Sequence, residues 1–304
     1  MSAIRNILMA SVAIAALTSP VLAQEIDTIR IGLLGGENEA DRLADNQCLI
    51  DKLPAALGVK EVQLFPAADY DGVIQGLLGG TLDIAGLGAS GYAAVYLKDP
   101  KAVEPFLTNV QTDGSTGYYS VMLARQDSGI ATLADAKGKK LGYADPDSTS
   151  GYLIPKVTLP QALGGAKPEE YFSDVSFNGG HENNVLALLD GKIDVGVTWT
   201  SGVGEFSEGY TSGNIRSMVD KGMLDMEDVT QVWQSPLIPN GPLVLRSTLP
   251  EEMKKKIIAF YTALPTEDYE CFRSVENGDF TGYTPVTPEF YQPIIDARKS
   301  TIGG

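Results

Sequence analysis

Histidine, cysteine and tryptophan are scarce in this chain: one His, two Cys and two Trp in 304 residues. So few His and Cys leave little material for the clustered ligands of a zinc site or for a framework of several disulfides. Most metal-centred and His-dependent chemistries are thereby set aside. Basic side chains are also few, 23 against 39 acidic ones, for a formal charge of −16. Binding to nucleic acid or to an anionic membrane surface rests on clustered Lys and Arg, so the balance argues against both. A small anionic ligand stays open, because backbone N–H groups and hydroxyls make a site locally positive without basic side chains. Beyond the N-terminus no apolar run approaches the roughly 18 residues that a membrane span needs. What is there, 43% hydrophobic and 20% charged residues, is a globular composition long enough for two domains.

The N-terminus places the protein outside the cytoplasm. Arg5 precedes an apolar run from Ile7 to Leu17, Ser19-Pro20 breaks it, and Val21-Leu22-Ala23 offers small or medium residues at a cleavage site. Met1–Ala23 thus reads as a secretory signal peptide cleaved near Ala23, too short to span a bilayer. Its only charged side chain is Arg5, so its removal takes 304 residues at −16 to 281 residues at −17. Once exported, Cys48 and Cys271 meet an oxidising compartment and are expected to bridge; two buried thiols are the other reading, should they lie far apart.

The mature chain alternates strand-like and helix-like segments, which indicates an α/β fold with mostly parallel sheets flanked by helices. Leu77-Leu78-Gly79-Gly80-Thr81-Leu82-Asp83-Ile84-Ala85 recurs 111 residues later as Leu188-Leu189-Asp190-Gly191-Lys192-Ile193-Asp194-Val195-Gly196. Each copy ends a helix at glycine and enters a buried strand. The spacing is too long for a solenoid and suits two related lobes. Polar, glycine-punctuated Gln111–Gly117 and proline-rich Ser235–Pro242 read as two crossings. Lobe I then comprises 24–112 and 235–304, lobe II comprises 113–234, and a ligand cleft lies between them.

Within lobe II, Asp145-Pro146-Asp147-Ser148-Thr149-Ser150-Gly151 follows a strand and opens a helix. Three consecutive hydroxyls there join backbone N–H groups and the positive end of the helix dipole at one point, an anion site without a cation. Plain helix capping needs only one hydroxyl and is the competing reading. The sole His, His181, sits in Gly179-Gly180-His181-Glu182-Asn183 at another helix start, as a ring N–H donor to ligand or as a residue bonded to backbone. As a catalytic base it lacks an evident nucleophile and orienting carboxylate, and no nucleophile elbow is present. Tyr70 and Tyr118 lie between strand and helix and beside the first crossing, where core or rim packing accounts for them equally well.

Five stretches together resemble the periplasmic phosphonate-binding proteins of ABC importers, within the type II periplasmic binding fold. They are Ala68–Gly76, Thr112–Ser120, Asp145–Leu153, Gly179–Asn183 and Ser235–Pro239, in matching order and spacing over nearly the whole mature chain. The resemblance implies that Tyr70, Tyr118, Ser148, Thr149, Ser150 and His181 hold phosphonate oxygens in the cleft. It implies no cofactor, no metal and no catalysis, and a membrane permease as partner for a monomeric protein. At the positions where relatives taking aminoalkyl phosphonates carry acidic side chains, this chain has Ser201 and Gly241, the latter beside Asn240. Glu37 or Glu39 substitutes for them, or Trp199 faces the cation, or the ligand lacks an amine. Phosphite or phosphate binding, a ligand-sensing partnership with a membrane receptor, and an exported phosphoryl or acyl hydrolase using His181 are the alternatives.

Overall fold

The computed structural model describes residues 26–301, so the signal peptide read over Met1–Ala23 lies outside it. Its strands are β1 (Thr28–Leu33), β2 (Glu61–Pro66), β3 (Ile84–Gly86), β4 (Val103–Gln111), β5 (Gly117–Arg125) and β6 (Lys140–Tyr143). There follow β7 (Asp174–Phe177), β8 (Val195–Thr200), β9 (Val229–Gln234), β10 (Ile238–Pro239), β11 (Leu243–Arg246) and β12 (Phe280–Pro285). They form two sheets, ordered β12-β4-β11-β3-β1-β2 and β10-β5-β8-β6-β7, with β9 also on β5.

The sequence repeat has a shared physical cause in both sheets. Gly80 and Gly191 each take a φ of +70°, the left-handed turn that ends the preceding helix and that a side chain would strain. The chain then presents an aspartate to the neighbouring strand. Asp83 accepts from the Arg30 amide at 2.9 Å while its own amide donates to Arg30 O at 2.8 Å. Asp194 does the same with Lys140, at 2.8 and 3.0 Å. One aspartate in each lobe thus satisfies an N–H of the neighbouring strand and sets β3 beside β1 and β8 beside β6.

Two expectations are corrected. The sheets are mixed, not mostly parallel: β1 is parallel to β2 and β3, and β6 to β7 and β8, but every other pairing is antiparallel. The reason is the double crossing. The chain leaves the first sheet on β4 and returns on β11 beside it, so these neighbours run in opposite directions. β5 and the β9–β10 edge do likewise in the second sheet. The return crossing also falls later than Ser235. The Ser235 amide donates to Ser120 O at 2.9 Å and Ile238-Pro239 pairs with Gly117-Tyr118, so the proline-rich segment is an edge of the second sheet as far as Pro239. Prolines are tolerated there because an edge strand needs no N–H on its outer side.

Helices cover both faces of the first sheet. Leu49, Leu53 and Leu57 of the helix Gln47–Leu57 pack with Ile257, Tyr261 and Leu264 on one side. Val73, Ile74 and Leu77 of the helix Tyr70–Leu78 pack with Tyr92, Val95, Ile294 and Ile295 on the other. Each fully buried leucine or isoleucine is worth about 1.5–3 kcal/mol. The second of these clusters continues into Tyr118, Leu153, Ile154 and Ile238 of the second lobe, so apolar packing as well as the chain crossings ties the lobes together.

Cys48 and Cys271 form a disulfide between the helices Gln47–Leu57 and Tyr269–Glu276, with 5.9 Å between their Cα atoms. It joins the two chain segments of lobe I across 223 residues. Closing so long a loop restricts the unfolded chain, an effect typically worth about 2–5 kcal/mol. Urea unfolding with and without a reducing thiol is expected to show that loss of stability, reproduced by the Cys48→Ala/Cys271→Ala protein. Equal midpoints would show that the bridge does not stabilise the lobe.

Candidate functional site

A cavity of about 310 Å³ lies between the lobes, at the ends of β1, β3 and β4. Tyr70, Tyr118, Ser148, Thr149, Ser150, His181, Glu37, Trp199 and Asn240 all line it. Ser201 does not. Its hydroxyl lies 3.1 Å from Thr211 Oγ1 and accepts from the Val203 amide, within lobe II. Gly241 lines the cavity, but a Cβ built there would stand 1.9 Å from Leu87 O, so backbone packing alone bars an acidic residue at that position.

Of the two readings that the sequence left open, capping is what Ser148 and Thr149 do. Ser148 is the N-cap of the turn Thr149–Leu153, its Oγ accepting from the Gly151 amide at 2.9 Å. Thr149 caps a different helix. Its Oγ1 accepts at 2.8 Å from the amide of Ser90, in the first turn of Ala89–Lys98 across the cleft, a helix whose own N-cap, Gly88, has no side chain. Ser150 Oγ lies 3.4 Å from His181 Nε2, and Ser148 Oγ lies 3.0 Å from the same nitrogen. A hydroxyl that already accepts from an amide keeps its proton to give away. Capping by Ser148 and Thr149 therefore leaves two O–H donors at the cavity wall.

His181 opens the helix His181–Leu189 after Gly180, whose backbone touches that of Gly36: a Cβ on Gly180 would meet Gly36 Cα at 2.2 Å. A Cβ on Gly36 would in turn meet Gly180 Cα at 2.5 Å and Gly179 O at 2.7 Å, so this contact between lobes needs glycine on both sides. The imidazole is 6% exposed, and burial pushes its pKa from 6.5 down to about 3. It is a neutral ring with one N–H to donate, and its Nδ1 has no hydrogen-bond partner among the described residues. Burial likewise raises the phenols of Tyr70 and Tyr118, which stay protonated and therefore donors. The Tyr70 hydroxyl adjoins Ser148, and that of Tyr118 adjoins Ser150 and Thr149. Trp199 packs edge-on against Tyr118 at 5.4 Å and fixes its ring.

Polar contacts between lobes flank the cavity. Arg298 pairs with Asp147 at 2.5 Å and donates to Ser90 Oγ at 2.9 Å. The Tyr70 amide faces Asp145 Oδ2 at 3.4 Å, and Lys221 of lobe II reaches Asp41 at 3.2 Å and Glu182 at 3.3 Å. Burial raises the Glu37 carboxyl; Lys221 opposes that shift and Glu182 adds to it.

Arg42, Asn109 and Glu276 are among the lining residues that escaped the sequence reading. Arg42 is 9% exposed and spends Nη1 on the carbonyls of Leu33, Leu34 and Ala67. A lone arginine in the otherwise acidic Glu39–Asp45, six residues after Gly36, was the available signal. Asn109 and Glu276 carried none, being separated by 167 residues and joined only through the β4–β12 pairing.

The arrangement converges hydroxyl, phenol and imidazole donors on one enclosed point, which suits an oxyanion. In its Ser148–His181 contact, Nδ1 has no orienting partner among the described residues, and burial lowers the basicity of the ring.

A family model for the periplasmic substrate-binding protein of phosphonate ABC transporters matches residues 31–291. The chain is similar to the phosphonates-binding periplasmic protein of Escherichia coli (strain K12), at 33% identity over 81% of this chain and 69% of that protein. It is 30% identical to the phosphate-import protein PhnD of Mycolicibacterium smegmatis, over 76% and 70% of the two chains. Among solved structures, a binding protein component of an ABC phosphonate transporter from Pseudomonas aeruginosa superposes with a TM-score of 0.75 at 26% identity, covering 90% of this chain and 86% of that one. PhnD1 from Prochlorococcus marinus, in complex with methylphosphonate, shares the fold at a TM-score of 0.73 and 17% identity, over 91% and 99%.

The depressed His181 pKa has a measurable consequence. Between pH 6.5 and about 3 the unfolded chain binds a proton here that the folded chain refuses. The stability due to this ring is whole above pH 6.5 and falls as the pH drops toward 3, by about 1.4 kcal/mol per unit. The raised carboxyls of Glu37 and Asp145 act in the opposite sense at low pH, so the comparison is with His181→Gln. Urea unfolding from pH 7 to 4 is expected to show the shallower loss in the variant; identical slopes would place the imidazole in water.

Proposed function

The chain belongs to the phosphonate-binding periplasmic substrate-binding proteins of ABC transporters, and we propose that it seizes the phosphoryl end of its ligand with Tyr70, Tyr118, Ser148, Thr149, Ser150 and His181. The observation that carries this reading is their convergence on one cavity from both lobes. Ser148–Ser150 and His181 lie in lobe II and Tyr70 in lobe I, so the anion bridges the lobes and favours their closed arrangement. The donors are neutral. Selectivity then comes from the number and direction of hydrogen bonds to a compact oxyanion rather than from net charge, which suits a protein of formal charge −16.

The weak base and unpartnered Nδ1 at His181 support binding without turnover. A signal peptide removed near Ala23 delivers the mature protein to the periplasm, where as a monomer it presents closed lobes to a membrane permease. Phosphate is the second reading. The relative from M. smegmatis is named for phosphate import, and the cradle described here touches only features that a phosphate and a phosphonate share.

Calorimetry with methylphosphonate, 2-aminoethylphosphonate, phosphite, phosphate and sulfate separates these readings, the tightest ligand being a phosphonate if the first is right. Tyr118→Phe and Ser150→Ala are each expected to cost about 1.5–3 kcal/mol of binding, the usual worth of a hydrogen bond to a charged group. Full affinity in both variants would remove the assigned cradle.

A further inference from the structure

The loop after β1 meets lobe II over three consecutive residues. Gly36 packs against Gly180, and the Asn38 amide donates to Glu182 Oε1 at 3.3 Å. These two contacts bracket Glu37 in lobe I and His181 in lobe II, and both of those side chains line the cavity of the proposed cradle. Glu37 is also near enough to the Tyr70 hydroxyl for its charge to disfavour the phenolate there. The cations around it are already engaged. Lys221 pairs with Asp41 and Glu182, and Arg42 spends Nη1 on the carbonyls of Leu33, Leu34 and Ala67. Glu182 and Asp45 add negative charge of their own. The Glu37 carboxyl itself forms no hydrogen bond or ion pair among the described residues. An oxyanion held by neutral donors therefore meets a carboxyl group with no cation between them. Two negative groups placed so close titrate as a pair, and the pair keeps a proton that each alone would release.

We propose that Glu37 contacts the phosphoryl group and shares one proton with it, so that capture of a phosphonate dianion takes up a proton from solvent. The inference rests on the phosphonate reading above and adds to its ring of donors the one group that handles ligand charge. The proton comes from water or buffer and lies in an O–H···O hydrogen bond between the Glu37 carboxyl and a phosphoryl oxygen; no other bond forms or breaks. Lobe closure is what brings the partners together, because the contacts at Gly36 and Asn38 exist only when the lobes meet. Burial already pushes the Glu37 carboxyl up, Lys221 and Arg42 oppose that shift, and Glu182 and Asp45 add to it, so a dianion moves the group further in a direction it has already taken. His181 stays neutral in the same cavity and supplies no compensating positive charge.

The test is calorimetry with methylphosphonate, 2-aminoethylphosphonate and phosphate at pH 8.5, in buffers of different ionisation enthalpy, which counts the protons bound with each ligand. At that pH free Glu and His side chains are deprotonated and Lys is protonated. The phosphoryl groups of these ligands are then largely dianions. Uptake in the wild-type protein is expected to approach one proton per ligand, and affinity to fall about tenfold per pH unit above the second ionisation of the ligand, as linkage requires. Glu37→Gln, whose amide has no proton to exchange, should abolish both effects. Asp45→Asn should keep them, although burial raises that neighbouring carboxyl too. Melting curves check that each variant is folded, and Glu37→Ala repeats the count if Glu37→Gln is not; the wild-type count depends on no variant. Uptake near zero in the wild type, undiminished in the folded Glu37 variant or lost in Asp45→Asn overturns the proposal. A wild-type protein that binds none of the three ligands overturns the underlying phosphonate reading, a failure distinct from binding without proton uptake.

Discussion

The hydrogen bond from the Ser90 amide to Thr149 Oγ1 joins the lobes at the wall of the cavity proposed to cradle an oxyanion. It satisfies a helix N-terminus in one lobe with a side chain from the other, and it leaves the threonine proton at the cavity wall. Arg298 reinforces the same junction, through Ser90 Oγ and Asp147. The groups that hold the lobes together are therefore immediate neighbours of those proposed to meet the ligand. A cradle built in this way exists in full only when the lobes meet.

Neutral donors have a second consequence. The imidazole and both phenols are held uncharged by burial, so the cradle keeps the same donors through the physiological pH range. The one arginine in the lining spends its Nη1 on backbone carbonyls at the end of β1 and beyond β2, where it anchors the cavity floor. Charge in this cavity is thus carried by few groups.

Much of this architecture was legible in the chain. The repeated Leu-Leu-x-Gly-x-apolar-Asp pattern announced two related lobes because each copy does a local job: a left-handed glycine ends a helix, and an aspartate three residues on takes an N–H of the neighbouring strand. Ser148–Ser150 and His181 were legible because helix starts expose N–H groups, and residues that answer them stand out. The parallel character of the sheets was misjudged. Alternation of strand and helix describes β1–β3 and β6–β8 well, but says nothing about the direction of the strands that carry the chain out and back.

The sequence by itself determined the α/β class, the helix-ending motif that each lobe repeats and the hydroxyl-rich helix start, since each depends on residues within about ten positions of one another. Only the tertiary structure decided where the return crossing falls, why position 241 must be glycine, and that Ser201 faces Thr211 instead of the cavity. It also brought Asn109 to Glu276 across 167 residues. Such contacts arise from strand pairing and lobe closure, which place backbone against backbone at distances that no local pattern encodes.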